Sequence, residues 1–308
     1  MISSSRTLFS QEGTRSKASP TFLQDSLLRF KALRVHRLCH KIYLQIDADA
    51  APHYHPGLRL EHYYPWLFSK DLPATDGQCR GLAAAAVLFS DSFHNRLGLI
   101  RQGTGSSVDP YSRKLQQCAF QLLEAPAGER SELHRFQQNF IKDQDEALAT
   151  EARMLEPQIT FTDREHERYA RQKNRHLQLI ICALGDLTRQ NDTAAGLCKA
   201  QIALSSGLSM FDSYLEWRDD VQFPARNWFL NGLLGDDQRL RGNIGVLQEL
   251  VYDAAVSAQW FDSVRGYCRV CAQLAGQSGL RQLAEWLLDR VDRLQNDLED
   301  LRVHAGMP

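Results

Sequence analysis

The 308-residue chain has almost nothing that would build a sheet. No sustained apolar–polar alternation is bounded by Asn-Gly or Asp-Gly turns, which argues against hairpin-based architectures. It also lacks a long apolar run. Even LAAAAVLF is cut off by Asp91, well short of the roughly 18–20 residues that span a bilayer. Charge of one sign is missing too: 36 Lys and Arg stand against 37 Asp and Glu, and a net charge of −1 gives no strong field toward nucleic acid or anionic membrane. The seven cysteines (Cys39, Cys79, Cys118, Cys182, Cys198, Cys268 and Cys271) are odd in number and scattered through apolar helical contexts. They read as small buried hydrophobes of a reducing compartment rather than a disulfide framework. Cys268 and Cys271 form a CxxC without a second pair. The opening residues 1–20 hold no apolar core of a secretory signal and read as a disordered polar tail, so the expected location is the cytoplasm. Ser-His-Asp, GxSxG, P-loop and HExxH patterns are all missing.

What is present is helical. Prolines fall between apolar-periodic blocks rather than within them, and the blocks predict helices near 22–48, 59–70, 76–101, 110–124, 129–154, 162–189, 192–220, 225–234, 238–257, 258–275 and 278–303. Long helices with broad apolar faces and short connections favour one multi-helix bundle over residues 21–308. The last block, LRQLAEWLLDRVDRLQNDLEDLR, caps that bundle or offers its near-heptad stripe to a partner.

Two five-residue stretches carry the chemistry: DSFHN at Asp91–Asn95 and DSYLE at Asp212–Glu216. On a helix, positions i and i+4 share a face, so Asp91 pairs with Asn95 and Asp212 with Glu216. Continuing the second helix brings Asp219 onto the same wedge and Asp220 to its edge. Carboxylates crowded into apolar helical sequence repel one another and call for a cation. Oxygen-only ligands suit Mg²⁺, which commonly bridges to substrate phosphates. A solvated acidic face, with Asp219 and Asp220 paired to Arg218 or Arg226, is the plain alternative. Arg164, Arg168, Arg171 and Arg175 recur at helical spacing with Lys173 nearby, a stripe suited either to an anion or to a solvated face laced by Glu165 and Glu167. Phe89, Phe93, Tyr214 and Trp217 flank the acidic turns; aromatic faces there would exclude water and favour a carbocation, or simply form core.

At these residues the chain resembles the class I isoprenoid synthases, the trans-prenyltransferases and terpene synthases. Their first motif, DDxxD followed by four residues and Arg-Arg-Gly, corresponds to DSFHN, RLGL and IRQG, with Asp91 as first ligand and Arg101 as second arginine. Their second motif corresponds to DSYLEWRDD. The resemblance covers residues 58 to about 300 and implies an all-α bundle around a central apolar cavity. It further implies Mg²⁺ on Asp91, Asn95, Asp212, Glu216, Asp219 and Asp220, with Asp91, Asp212 and Glu216 catalytic. An allylic prenyl diphosphate would be held by Arg101, Arg171, Lys173 and Arg175 against Phe89, Phe93, Tyr214 and Trp217. Ser92 and Asn95 replace two carboxylates and Ile100 an arginine, which suits a terpene cyclase with one diphosphate site better than chain elongation. A prenyltransferase, a non-catalytic prenyl-diphosphate-binding or partner-binding paralogue, and a plain helical interaction protein remain alternatives, as does a homodimer.

Overall fold

A computed structural model describes residues 25–46, 58–103, 109–127, 132–156, 159–235 and 243–305. The polar tail expected over residues 1–20 lies outside them. The described residues are all-α: eleven helices, three 3₁₀ turns and no strand. In chain order the helices are α1 Ser26–Ile46, α2 Asp76–Arg101, α3 Pro110–Ala127, α4 Glu132–Met154, α5 Asp163–Lys173, α6 Arg175–Thr188, α7 Asn191–Leu215, α8 Trp228–Leu234, α9 Ile244–Val251, α10 Ala254–Leu274 and α11 Gly279–Ala305. None of the described helices is long and apolar enough to cross a membrane.

The chain forms two compact units. The first draws on the described residues within Met1–Ala149, Gln172–Cys198 and Gly276–Gly279; the second on those within Thr150–Arg171, Lys199–Ala275 and Leu280–Pro308.

In the first unit α2 is the central element, packed by α1, α3, α6 and the 3₁₀ turns Leu60–His62 and Tyr64–Phe68. Its start is set by a capping box: the Thr75 hydroxyl accepts from Gln78 N–H at 3.3 Å, and the Gln78 side chain accepts from Thr75 N–H at 2.9 Å. Leu82 through Ser90 are buried without interruption, so this stretch of helix is enclosed on every side. Phe89 meets Phe120 and Phe140 at ring separations of 4.9 and 4.7 Å, an aromatic core that ties α2 to α3 and α4. At Gly279 the backbone passes so close to Leu67 that an added Cβ would lie 2.9 Å from the Leu67 Cβ.

The second unit is built around aromatics. Trp228 stacks on His166 at 5.4 Å and donates its indole N–H to Asp163 at 2.8 Å. Tyr214 packs on Phe229 and Phe261 and donates to the Val251 carbonyl at 3.2 Å. The strip before α5 is fastened by Asn231, whose Oδ1 accepts from Phe161 N–H at 2.9 Å and whose amide donates to the Phe161 carbonyl. Both partners are buried, so Asn231→Ala orphans a donor and an acceptor and is expected to cost about 1–3 kcal/mol, read as a lowered urea midpoint. The stripe Leu280, Leu283, Ala284, Leu287, Val291 and Leu298 of α11 is buried, while Leu301 and Val303 beyond it are exposed.

Four sequence-based boundaries need correction. The block 59–70 forms two 3₁₀ turns, with Pro65 opening the second. The block 162–189 breaks at Asn174 into α5 and α6. The block 192–220 stops at Leu215, because the Asn227 amide takes the Ser213 carbonyl at 2.8 Å and the chain turns away. The last break falls at Asp253 rather than at 257, because the Asp253 carboxylate caps α10 by accepting from Ala255 and Val256 N–H at 2.9 and 3.0 Å.

Candidate functional site

Asp91 lies in the middle of α2, within the first unit, and its carboxylate is already partnered. One oxygen accepts from the Arg59 guanidinium at 2.5 Å, and the other accepts the Tyr43 hydroxyl. Arg59 comes from the extended residue ahead of the turn Leu60–His62, and Tyr43 from the buried face of α1. Asn95, one turn on, is exposed and donates its amide to Asp109 at 2.6 Å and to the Ser112 hydroxyl at 3.0 Å. Ser92 donates to the Ser112 carbonyl at 2.9 Å, so this side of the motif fastens α2 to the start of α3. Arg101 is half-buried at the end of α2.

Around the Arg59–Asp91 pair lies a buried polar cluster. Ser90 donates to Glu61 at 2.8 Å. His94 lies 2.7 Å from the Ser90 carbonyl, which can only accept, so its Nδ1 bears the proton and donates. Burial works against the charge on Arg59, but Asp91 and then Glu61 hold its pKa above the ordinary value. Burial would push the Glu61 carboxyl up; the opposing pull of Arg59, His176, the backbone and Ser90 brings it down to about 2. His62, His94 and His176 are each pushed down to about 4, chiefly by burial.

These directions fix the pH response. A histidine with an ordinary pKa of 6.5 that is held neutral in the fold contributes fully above that value, and its contribution is lost as pH falls through 6.5 toward 4. The Glu61 contribution is complete above 4.5 and lost between there and about 2. Stability from urea unfolding is therefore expected to be flat between about pH 7 and 8 and to fall steadily from about pH 6.5 downward, by up to about 1.4 kcal/mol per pH unit for each extra proton bound by the unfolded chain. It should fall again above about pH 9, where Cys79, Cys268 and Cys271, pushed up by burial to about 11, 12 and 12, ionise first in the unfolded chain. A midpoint that rises on acidification would contradict this assignment.

The second acidic turn lies in the second unit, where α7 ends. Asp212 and Glu216 are half-buried and one turn apart, with Glu216 N–H donating to the Asp212 carbonyl at 2.9 Å. Their sequence neighbours Phe211, Tyr214 and Trp217 are buried, Tyr214 in the core against Phe229 and Phe261. Because α7 stops at Leu215, Asp219 and Asp220 are not on its face, which corrects the expectation of one continuous acidic wedge. Asp219 is exposed in the following turn. Asp220 is buried: it pairs with Arg226 at 3.3 Å and accepts from Asn227 at 3.3 Å, and burial raises its pKa against the pull of Arg226. Arg226 also reaches the buried Glu151 at 3.3 Å, and Glu151 accepts from Tyr169. Asp220 therefore belongs to a structural ion network. Arg290 from α11 has its guanidinium 5.2 Å from the Trp286 ring and 5.9 Å from Phe211; burial and then Arg293 lower its pKa, against the pull of Asp212.

The expected cationic stripe is divided by the break at Asn174. Arg164, Arg168 and Arg171 are exposed on α5, whereas Lys173 is half-buried near His94. Arg175 opens α6, pairs with Asp143 at 2.8 Å, donates to Gln178 at 2.5 Å and covers the Phe136 ring at 3.8 Å. Phe89 is core, and Phe93 is buried with its ring edge-on to His94 at 5.9 Å. Sequence reasoning missed Arg59, Tyr43, Glu61 and Arg290. The one available signal was the presence of Arg and Glu within the otherwise aromatic stretch RLEHYYPWLF.

Among the described residues no group of three or more His, Cys, Asp or Glu is arranged to hold a metal. The donor sets of the two turns differ in how they suit Mg²⁺. Asp91, with both oxygens engaged and a guanidinium against it, does not fit. Asp212 and Glu216 have partners of their own, and as half-buried oxygen donors they are of the type taken by an ion that commonly binds one or two carboxylates and completes its shell with water and phosphate. Comparison with known protein families, with curated proteins and with solved structures finds no match for this chain.

Proposed function

We propose that the chain is a divergent class I terpene synthase-type enzyme that binds one allylic prenyl diphosphate, with Mg²⁺ held by Asp212 and Glu216 rather than by Asp91. The observation that supports this reading most is the second turn itself: two half-buried carboxylates one turn apart at a helix end, next in sequence to buried aromatics, with the Asp212 charge acting on Arg290. Mg²⁺ bound there supplies charge neutralisation for a departing diphosphate. Arg290, partly desolvated against Trp286, adds a fixed positive charge at the same end. On this reading an allylic cation would be kept from water and lose a proton against nearby aromatics, of which Phe211 and Trp217 are the buried neighbours of the two carboxylates in sequence. No side-chain nucleophile is required.

The experiment is incubation with geranyl, farnesyl and geranylgeranyl diphosphates, with and without Mg²⁺ and isopentenyl diphosphate, reading pyrophosphate and hydrocarbons. Mg²⁺-dependent pyrophosphate release without isopentenyl diphosphate is expected. Release only in its presence would mean prenyl transfer. A second reading, binding without turnover, is favoured by the Arg59–Asp91 ion pair, which occupies the position that the first motif gives to a metal ligand; it predicts saturable prenyl diphosphate binding and no pyrophosphate.

A further inference from the structure

We propose that α1 docks the protein on the surface of anionic lipid bilayers. This helix has two contrasting sides. Ala32, Val35, Cys39 and Tyr43 are buried against the rest of the first unit, and Tyr43 is fixed there by its bond to Asp91. On the outward side large apolar residues are exposed: Leu27 is 62% exposed, Phe30 57%, Leu33 40% and Leu44 48%. Such residues are not scattered. At 100° per residue, Leu33, Leu44, Arg37, Phe30, Lys41 and Arg34 fall within about 100° of arc, opposite the buried side.

The charge on α1 is all of one sign. SLLRFKALRVHRLCHKIYLQI contains Arg29, Lys31, Arg34, Arg37 and Lys41, two histidines and no acid. Asp76 of α2 draws Lys31 and Arg34 into ion pairs at 3.0 and 3.8 Å, while Arg29, Arg37 and Lys41 are exposed on the helix. The net charge of −1 for the whole chain therefore conceals a local excess of positive charge.

Phe and Leu interleaved with Arg and Lys along an exposed helix suit the boundary between headgroups and acyl chains, where the rings and branches sink and the long basic side chains reach back to phosphate. Charge decides among occupants. A second copy of the same face would bring a further Arg34, Arg37 and Lys41 and no acid of α1, and like charges would oppose an isologous contact. Nucleic acid would satisfy the cations but leave Leu27, Phe30, Leu33 and Leu44 without apolar partners. An anionic bilayer satisfies both.

The test is flotation of the full chain with phosphatidylcholine vesicles containing roughly 30% phosphatidylserine, against phosphatidylcholine alone. Binding to the anionic vesicles is expected, weakened by added salt and absent from the neutral ones. The double variant Arg37→Glu/Lys41→Glu should lower the vesicle partition coefficient at least about tenfold, given about 1 kcal/mol per basic residue at such a surface. Phe30→Ser/Leu33→Ser should lower it by a similar factor through the apolar area no longer buried in the bilayer. Both pairs are exposed, so helix content and melting midpoint should match wild type, which separates lost docking from lost folding. The proposal is overturned by no flotation with anionic vesicles, by equal binding to neutral vesicles, or by variants that float like wild type. Self-association or heparin binding that depends on these four residues, without vesicle binding, would overturn it as well.

Discussion

Alanine at Asp212 or at Glu216 is expected to lower Mg²⁺-dependent pyrophosphate release at least about a hundredfold, while leaving helix content and melting midpoint close to wild type. The separation of the two readouts follows from where these carboxylates stand. Each is half-buried at the end of α7 rather than enclosed in the core, so truncation there removes less packing than at a core position. Their neighbours should behave differently. Asp219, exposed in the turn beyond the helix, should tolerate alanine with little loss of either property. Asp220→Ala should leave Arg226 and buried Glu151 with a broken network, so its defect should appear first as lost stability. Arg290→Met keeps an apolar chain near Trp286 and Phe211 but removes the cation over those rings and the charge that Asp212 acts on; it should impair release more than it lowers the melting midpoint. A pattern in which Asp219 matters as much as Asp212 would restore the continuous acidic face that the end of α7 at Leu215 takes away.

Asp91→Ala should be the most destabilising substitution among the acidic motif residues, at about 3–5 kcal/mol, because it strands the Arg59 guanidinium in a buried site. The Tyr43 hydroxyl loses its acceptor in the same step. Asp91→Asn keeps the shape and one acceptor but not the charge, and should fall between wild type and alanine. The combined Arg59→Met/Asp91→Leu variant removes both charges and should recover much of the loss, as apolar replacement of a buried pair often does. Urea unfolding of the three variants measures the coupling directly. If Asp91 were a metal ligand instead, Asp91→Asn would leave the urea midpoint near wild type and would act only through Mg²⁺ dependence.

The sequence carried much of the architecture. The bounds 76–101 for α2 agree with the structure because both ends are set locally, by the Thr75 box and by the turn at Gln102 and Gly103. The end of α7 was not local: Asn227, from beyond Pro224, supplies the amide that takes the Ser213 carbonyl, and no window around residue 215 reveals it. The break at Asn174 likewise lies in a run, RQKNRHL, whose composition permits a continuous helix. The site shows the same division. A carboxylate in the apolar stretch LAAAAVLFSDSF demands a cation, and that much could be read from α2 alone. Its identity could not, since Arg59 stands 32 residues upstream and reaches Asp91 only through the packing of the Leu60–His62 turn on α2. Asn95 shows the limit from the other side: an amide matches a metal ligand in a motif, yet here it is used to hold Asp109 and Ser112.

The most direct measurement is a crystal structure with Mn²⁺ in place of Mg²⁺ and with pyrophosphate, the ion located by its anomalous scattering. The account predicts density at the carboxylates of Asp212 and Glu216, with pyrophosphate on the metal and the Arg59–Asp91 pair intact. Metal bound to Asp91 with Arg59 displaced, or no metal at Asp212 and Glu216, would contradict it.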